Sequence, residues 1–138
     1  MKKSLLLLAA AATLAGCTYK APLTHQNVVG GASADYVKAV AVLTAQEMGW
    51  QACLLSSDKY ELYRPYKQWD VYAELAFNGN AYTLKPVVGK TTLAKEDGSV
   101  HRNVNNLTAR LNAGIARRAA QMRGQNVELP ALEACRAN

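Results

Sequence analysis

The side chains best suited to chemistry in this sequence are three cysteines and two histidines. The cysteines are Cys17, Cys53 and Cys135, and the histidines are His25 and His101. A cysteine nucleophile needs a histidine beside it, and a metal site needs several ligands at close spacing. The two histidines lie far apart in the sequence, and neither stands in a recognisable constellation of ligands. The sequence therefore predicts neither a Cys–His nucleophile nor a metal site.

The carboxylates give no stronger indication of catalysis. Acid–base chemistry needs two titratable groups that converge in a cleft. Asp70 and Glu74 lie on the polar face of a predicted strand, where carboxylates are usually solvated or paired with lysine or arginine. A glycine-rich phosphate loop of defined spacing is also missing from the sequence. We therefore expect a protein that is not an enzyme and that needs no cofactor.

Cys17 follows an N-terminal segment with three distinct parts. Lys2 and Lys3 are basic, Ser4–Thr13 is rich in leucine and alanine, and Leu14–Gly16 ends in small residues. A membrane-spanning helix needs about 20 apolar residues, so this run is too short to span. The pattern is typical of an export signal that is cleaved before the cysteine. Residues 1–16 are therefore predicted to be a signal peptide.

The run Leu14-Ala15-Gly16-Cys17 closely resembles the lipobox of bacterial lipoproteins. The resemblance implies that the Cys17 sulfur receives a diacylglyceryl group and that its new amino group is acylated after cleavage. The membrane would then be a partner through this lipid anchor. An ordinary secretory cleavage site is the alternative, although such a site needs no cysteine there. Thr18 replaces the aspartate that retains many lipoproteins at the inner membrane, which favours the outer membrane, facing the periplasm.

Length and charge limit the classes of protein that this chain can belong to. Removal of residues 1–16 from 138 leaves 122, enough for one domain with one core. The formal charge falls from +6 to +4 when Lys2 and Lys3 leave. A moderately basic domain is compatible with anionic lipid headgroups or acidic envelope polymers. An exported chain does not meet genomic DNA, so nucleic acid is not an expected partner.

Cys53 and Cys135 are the cysteines left after lipidation. The periplasm is oxidising, and an even pair of cysteines there predicts a disulfide. The alternative is that Cys53 is a buried small residue on a strand and that Cys135 is a free thiol in a mobile tail.

The rest of the chain divides into a tether, a domain and a tail. Residues 17–32 contain Pro22, a Gly-Gly pair and no apolar periodicity, which predicts a flexible tether after the lipidated cysteine. An α+β domain is predicted over residues 33–124, and a C-terminal tail over residues 125–138. The first helix of the domain begins after Ser33 as N-cap and ends at Gly49.

The middle of the domain changes from helical period to strand period. Short strands are predicted over residues 51–55 and 60–64, and Trp69–Phe77 shows a strict alternation of apolar and polar residues. Asn78-Gly79-Asn80 is a strong hairpin signal. An Asn78-Gly79 turn would place Leu75 opposite Tyr82, whereas a Gly79-Asn80 turn would place Leu75 opposite Leu84. Either register gathers the apolar residues of the two strands on one face.

A second amphipathic helix follows the loop that ends near residue 102. Asn103 or Asn105 is the predicted N-cap, and Gly124 is the predicted stop. An apolar stripe of this helix faces the core; it comprises Val104, Leu107, Leu111, Ile115, Ala119 and Met122.

Candidate interaction residues lie at the start and on the polar side of this helix: His101, Arg102, Arg110 and Arg117. The cluster around His101 is expected to serve capping and packing, with recognition of a cell-wall sugar or peptide as the alternative. The arginines are expected to form a solvated helix face, with contact to anionic lipid headgroups as the alternative.

Several landmarks together resemble a family of small bacterial lipoproteins of unassigned function. They are Gly49-Trp50, Trp69–Phe77, Tyr82, His101-Arg102-Asn103 and the stripe of Leu107, Leu111 and Ile115. The resemblance covers residues 35–118; it implies a fold and an envelope location but no activity. The predicted architecture is α+β in two layers: an antiparallel meander of three or four strands, with an N-terminal and a C-terminal helix on one face.

The functional hypothesis from the sequence is an envelope protein anchored in the outer membrane. It would act as a non-enzymatic interaction or assembly module with an envelope protein or a cell-wall partner. The alternative is a ligand-binding or inhibitor-binding lipoprotein that uses the exposed sheet face near Tyr72.

Overall fold

The computed structural model describes residues 18–136, so the predicted signal peptide and Cys17 lie outside the described residues. Within that range, two helices pack on one face of a five-stranded antiparallel sheet. The helices are α1 (Ala34–Glu47) and α2 (Arg102–Gln121). The sheet has the order β2-β6-β5-β4-β3. Its strands are β2 (His25–Val28), β3 (Gln51–Ser56), β4 (Lys59–Tyr66), β5 (Trp69–Asn78) and β6 (Ala81–Pro86). The predicted α+β class is confirmed.

The alternation along β5 decides which side of the sheet is core. Val71, Ala73 and Leu75 are fully buried, while the residues between them are partly exposed. Leu75 pairs with Leu84, which matches the predicted Gly79-Asn80 turn and excludes the other register. Gly79 has a φ of 61°, a conformation that glycine adopts without steric cost. The register set by the turn therefore places the buried residues of β5 and β6 on the same face of the sheet.

The helices complete the core by burying their apolar stripes on this face. The Ser33 side chain accepts a hydrogen bond from the backbone N–H of Tyr36 at 3.1 Å, which confirms the predicted cap of α1. The two helices approach closely near Gly114, where a Cβ atom would lie 2.6 Å from Met48 Sδ. A larger residue at this position would require the Met48 side chain to move.

The start of α2 differs from the prediction. His101 is the N-cap, and its Nδ1 accepts a hydrogen bond from the backbone N–H of Asn103 at 3.1 Å. Neither Asn103 nor Asn105 caps the helix. Asn105 is only 5% exposed, because its amide is hydrogen-bonded to a segment that precedes the domain in sequence.

That segment is the predicted tether, and the described part of it is not free. Tyr19–Lys20 forms strand β1, which pairs with β7 (Val100–His101) in a second, two-stranded sheet. Residues 25–28 form β2, which pairs with β6 and raises the predicted three or four strands to five. This stretch is held mainly by backbone and amide hydrogen bonds. Such bonds do not depend on an apolar period, so the sequence did not indicate these strands.

Paired substitutions on β5 test the register. Leu75→Asp should unfold the domain, because an unpaired buried carboxylate costs several kcal/mol of a stability that is typically about 5 to 15 kcal/mol. Glu74→Ala should leave the domain folded, because Glu74 faces the opposite side of the sheet and is partly exposed. Thermal melts of both variants check this, and equal melting temperatures would contradict the register.

Candidate functional site

The face of the sheet opposite the helices carries two tyrosines side by side. Tyr63 of β4 and Tyr72 of β5 are directly paired across the strands, and their ring centroids lie 4.9 Å apart. The Tyr63 hydroxyl donates a 2.6 Å hydrogen bond to Asp70 Oδ1. This bond raises the pKa of Tyr63, because the carboxylate stabilises the protonated phenol. The two rings together form an aromatic platform on this face of the sheet.

An ion pair between a nearly buried carboxylate and an exposed lysine lies next to this platform. Glu61 is 9% exposed, and Lys90 Nζ lies 2.9 Å and 3.0 Å from its two carboxylate oxygens. The same ammonium group lies 5.4 Å from the centre of the Tyr72 ring, within the range of a cation–π contact. Burial of Glu61 would be unfavourable without such a partner. Lys90 thus links the carboxylate to the platform.

The loop after β6 is fixed along β5, which places Lys90 there. The Thr91 hydroxyl accepts a hydrogen bond from Tyr72 N–H at 3.0 Å, and the backbone N–H of Thr92 donates to the Asp70 carbonyl at 3.0 Å. The loop therefore follows the strand as a short rim rather than leaving the sheet.

The C-terminal tail forms the opposite wall. Cys53 of β3 and Cys135 are joined by a disulfide with a Cα–Cα distance of 4.9 Å. The Leu54 N–H donates to the Glu133 carbonyl, and the Leu54 carbonyl accepts from the Cys135 N–H, at 2.9 and 2.8 Å. The two predicted cysteines are thus brought together, and the tail lies along the edge of β3.

Between the tail and the tyrosines lies a groove of about 480 Å³. We call it the outer groove; its walls include Gln51, Glu61, Tyr63, Tyr72 and residues 131–136. Aromatic faces, the carboxylates of Glu61 and Glu133, the Arg136 guanidinium and backbone groups allow stacking and hydrogen bonding to a polar ligand. Ligand atoms of Glu61, Cys53 and Cys135 also lie within 4.8 Å of one another. Both sulfurs are held in the disulfide, so this group offers a metal no thiolate ligands.

The carboxylates on this face are engaged in other contacts. Asp70 accepts the Tyr63 hydrogen bond, and Glu74 lies opposite Lys85, with 4.0 Å between their charged atoms. Glu74 agrees with the sequence interpretation of pairing with lysine or arginine, whereas Asp70 is solvent-exposed and its side-chain partner is Tyr63.

The four candidate interaction residues of α2 do not form one site. His101 uses its Nδ1 to cap the helix and packs edge-on against Tyr19 at 5.4 Å. Arg102 is exposed at the first turn. Arg110 and Arg117 are exposed on the flank of α2, about two helical turns from each other. The predicted cluster is therefore divided between the end and the side of the helix.

Sequence reasoning missed Glu61 and Lys90. The alternation along β4 could have placed Glu61 on the face of Tyr63, because strand residues two apart share a side. Lys90 lies in an irregular loop, and no local pattern connects it to β4.

Comparison with known proteins gives no relative for this chain: no protein-family model, curated protein or solved structure matches it. Neither helix of residues 18–136 is both long and apolar enough to cross a bilayer.

The disulfide generates a prediction about the tail. Cys135→Ser should destabilise the domain by about 4 kcal/mol in the chain-entropy model, because the bond closes a loop with a sequence separation of 82. Denaturant unfolding measures the loss, with Ala131→Ser in the same tail as control. Recovery of Cys53 and Cys135 in separate alkylatable peptides of the exported protein would contradict the pairing.

Proposed function

We propose that this protein is a lipoprotein anchored through Cys17 in the outer membrane and facing the periplasm. Its role in this proposal is a non-enzymatic interaction or assembly module of the cell envelope. The observation that carries the proposal is the run Leu14-Ala15-Gly16-Cys17 after a basic and apolar leader. In this proposal the cysteine sulfur forms a thioether to a diacylglyceryl group, and the amino group carries a third acyl chain. Stable membrane attachment needs about two such chains.

The outer groove is the recognition surface in this proposal. The helices cover the other face of the sheet, so Tyr63 and Tyr72 remain partly accessible on a rigid pair of strands. Tyrosine is enriched at protein interfaces because its ring is apolar and its hydroxyl is polar. A protein or a cell-wall polymer of the envelope is the proposed partner.

A small ligand is the second candidate occupant. The tail walls the groove on one side, and its volume of about 480 Å³ lies within the range of small-molecule sites. The Glu61 carboxylate can accept hydrogen bonds from the hydroxyl groups of a glycan, and the rings of Tyr63 and Tyr72 can stack on its sugar rings. The concave shape of the groove favours binding of a small ligand over docking of a flat protein surface.

The anchor is tested by Cys17→Ser. The variant should remain unlipidated and uncut, because a serine hydroxyl does not replace the sulfur in the thioether. Intact mass and detergent partitioning of the wild type and the variant measure this. The proposed anchor is wrong if the serine variant matures to the same mass as the wild type and partitions with it.

The recognition surface is tested by crosslinking in the envelope and capture from detergent. Tyr63→Ala combined with Tyr72→Ala should abolish capture of the partner, because both stacking rings are lost. Arg110→Ala combined with Arg117→Ala is a matched control on the far side of the molecule and should retain it. Thermal melts verify that both double variants fold.

Three results of this experiment are informative. A stoichiometric protein lost only from the tyrosine variant supports the interaction module. A co-purifying glycan or small molecule lost from it supports the ligand-binding alternative. If the arginine variant alone fails to capture the partner, the recognition surface lies on α2 and not in the outer groove.

A further inference from the structure

The described chain begins at a defined place on the domain. The Thr18 carbonyl accepts a 2.8 Å hydrogen bond from the backbone N–H of Arg102, the first residue of α2. Cys17 directly precedes Thr18 in the sequence. The proposed lipid attachment point is therefore covalently joined to a residue that is held at the start of α2.

Three sets of contacts hold the chain at this place. β1 pairs with β7, and β2 pairs with β6. Between them, the buried amide of Asn105 donates to the Ala21 carbonyl and accepts from the Leu23 N–H, both at 3.0 Å. These hydrogen bonds fix the segment from Tyr19 to Val28 on the domain. The domain therefore has little freedom to move away from the proposed lipid anchor.

The same end of the molecule includes the turn between β4 and β5. Tyr66 pairs with Trp69 across this turn, and Asn103 Nδ2 donates to the Tyr66 hydroxyl at 3.4 Å. The turn Lys67-Gln68 therefore lies beside the start of α2. The turn at Ser57-Asp58 lies at the other end of β4, which at eight residues is about 26 Å long.

Aromatic rings and cations alternate at this end. Lys95 Nζ lies 4.2 Å from the centre of the Tyr19 ring, and Lys67 Nζ lies 5.5 Å from that of Tyr66. Tyr66 stacks on Trp69 with 6.4 Å between ring centroids. Lys67 has a φ of 55°, which a glycine adopts more easily, so the turn itself does not require a lysine.

Charge at this end is on balance positive. Lys20, Lys67, Lys95 and Arg102 are exposed there, as is Arg110 beside Tyr66; the exposed carboxylates are Asp70 next to Trp69, and Glu96 and Asp97 after Lys95. Asp97 accepts hydrogen bonds from Ser99, which lower its pKa and keep it ionised. Tyrosine and tryptophan with lysine and arginine are the side chains enriched where proteins meet lipid headgroups.

We propose that the anchor end of the domain lies against the membrane and binds anionic phospholipid headgroups. The anchor end comprises Tyr19, Lys20, Tyr66, Lys67, Lys95 and Arg102. The inference rests on the proposed lipidation of Cys17, and it adds a fixed orientation to that anchor. The strands then run away from the bilayer, the turn at Ser57-Asp58 points into the periplasm, and the outer groove opens sideways.

The orientation is tested with lipidated full-length protein in vesicles that contain phosphatidylglycerol and a nitroxide-headgroup lipid. A fluorophore is attached through Gln68→Cys or, as the matched control, through Ser57→Cys. Both positions are exposed and lie in turns at opposite ends of β4. Quenching at residue 68 should exceed quenching at residue 57, because nitroxide quenching falls steeply with distance. Equal quenching, or stronger quenching at residue 57, overturns the proposal.

Charge reversal identifies the groups responsible. Lys67→Glu combined with Arg102→Glu should remove the difference between the two labels, because the anchor end then repels the anionic surface. The control is a flank variant, Arg117→Glu combined with Arg123→Glu, which changes the charge equally near and beyond the C-terminal end of α2, away from Tyr66, and should preserve the difference. Loss of the difference in the flank variant alone would assign the membrane contact to α2 and overturn the proposal.

The outcome for the anchor itself is read separately from intact mass. A chain that carries acyl groups but shows equal quenching at residues 57 and 68 overturns the orientation and leaves the anchor standing. A chain without acyl groups overturns both.

Discussion

The register between β5 and β6 is the constraint on which the rest of the structure depends. Successive strand residues point to opposite faces, so a slip of one residue would exchange Leu75 and Leu84 with the polar set. The Gly79-Asn80 turn prevents this slip, since its two residues match the twist of the strands. With that register, one face receives both helices and the other keeps Tyr63 and Tyr72. Core and candidate site are thus two sides of the same strands.

At both edges of the sheet lies a segment whose sequence shows neither a strand period nor a helix period. On one side, residues 25–28 form the edge strand β2, which pairs with β6, and Asn105 holds residues 21–23 before it. On the other side, the Cys53–Cys135 bond holds the tail against β3. An unpaired strand edge exposes backbone donors and acceptors, and the tail covers part of this edge at Leu54. Of these two segments, one leads to the proposed anchor and the other forms a wall of the outer groove.

The ion pair of Glu61 and Lys90 joins the wall of the outer groove to the loop after β6. A carboxylate that is 9% exposed loses most of its hydration, and a lysine at 2.9 Å compensates for part of this loss. A hydrophobic pair would fill the same space with less desolvation. Glu61 lines the groove beside the disulfide, and Lys90 approaches it from the side of Tyr72, so the groove keeps a carboxylate in its wall.

The sequence alone determined the elements with a strong local period: α1 with its Ser33 cap, the alternating strand Trp69–Phe77 and the apolar stripe of α2. It also limited the hairpin to two registers and left Cys53 and Cys135 as the pair to be joined. Only the tertiary structure decided that residues 19–28 belong to sheets, that His101 caps α2, and that Lys90 meets Glu61. The apolar periods of 2 residues in a strand and 3.6 residues in a helix can be recognised from side chains that are close in sequence. A short polar segment, by contrast, takes its structure from hydrogen-bonding groups that distant parts of the chain leave unpaired.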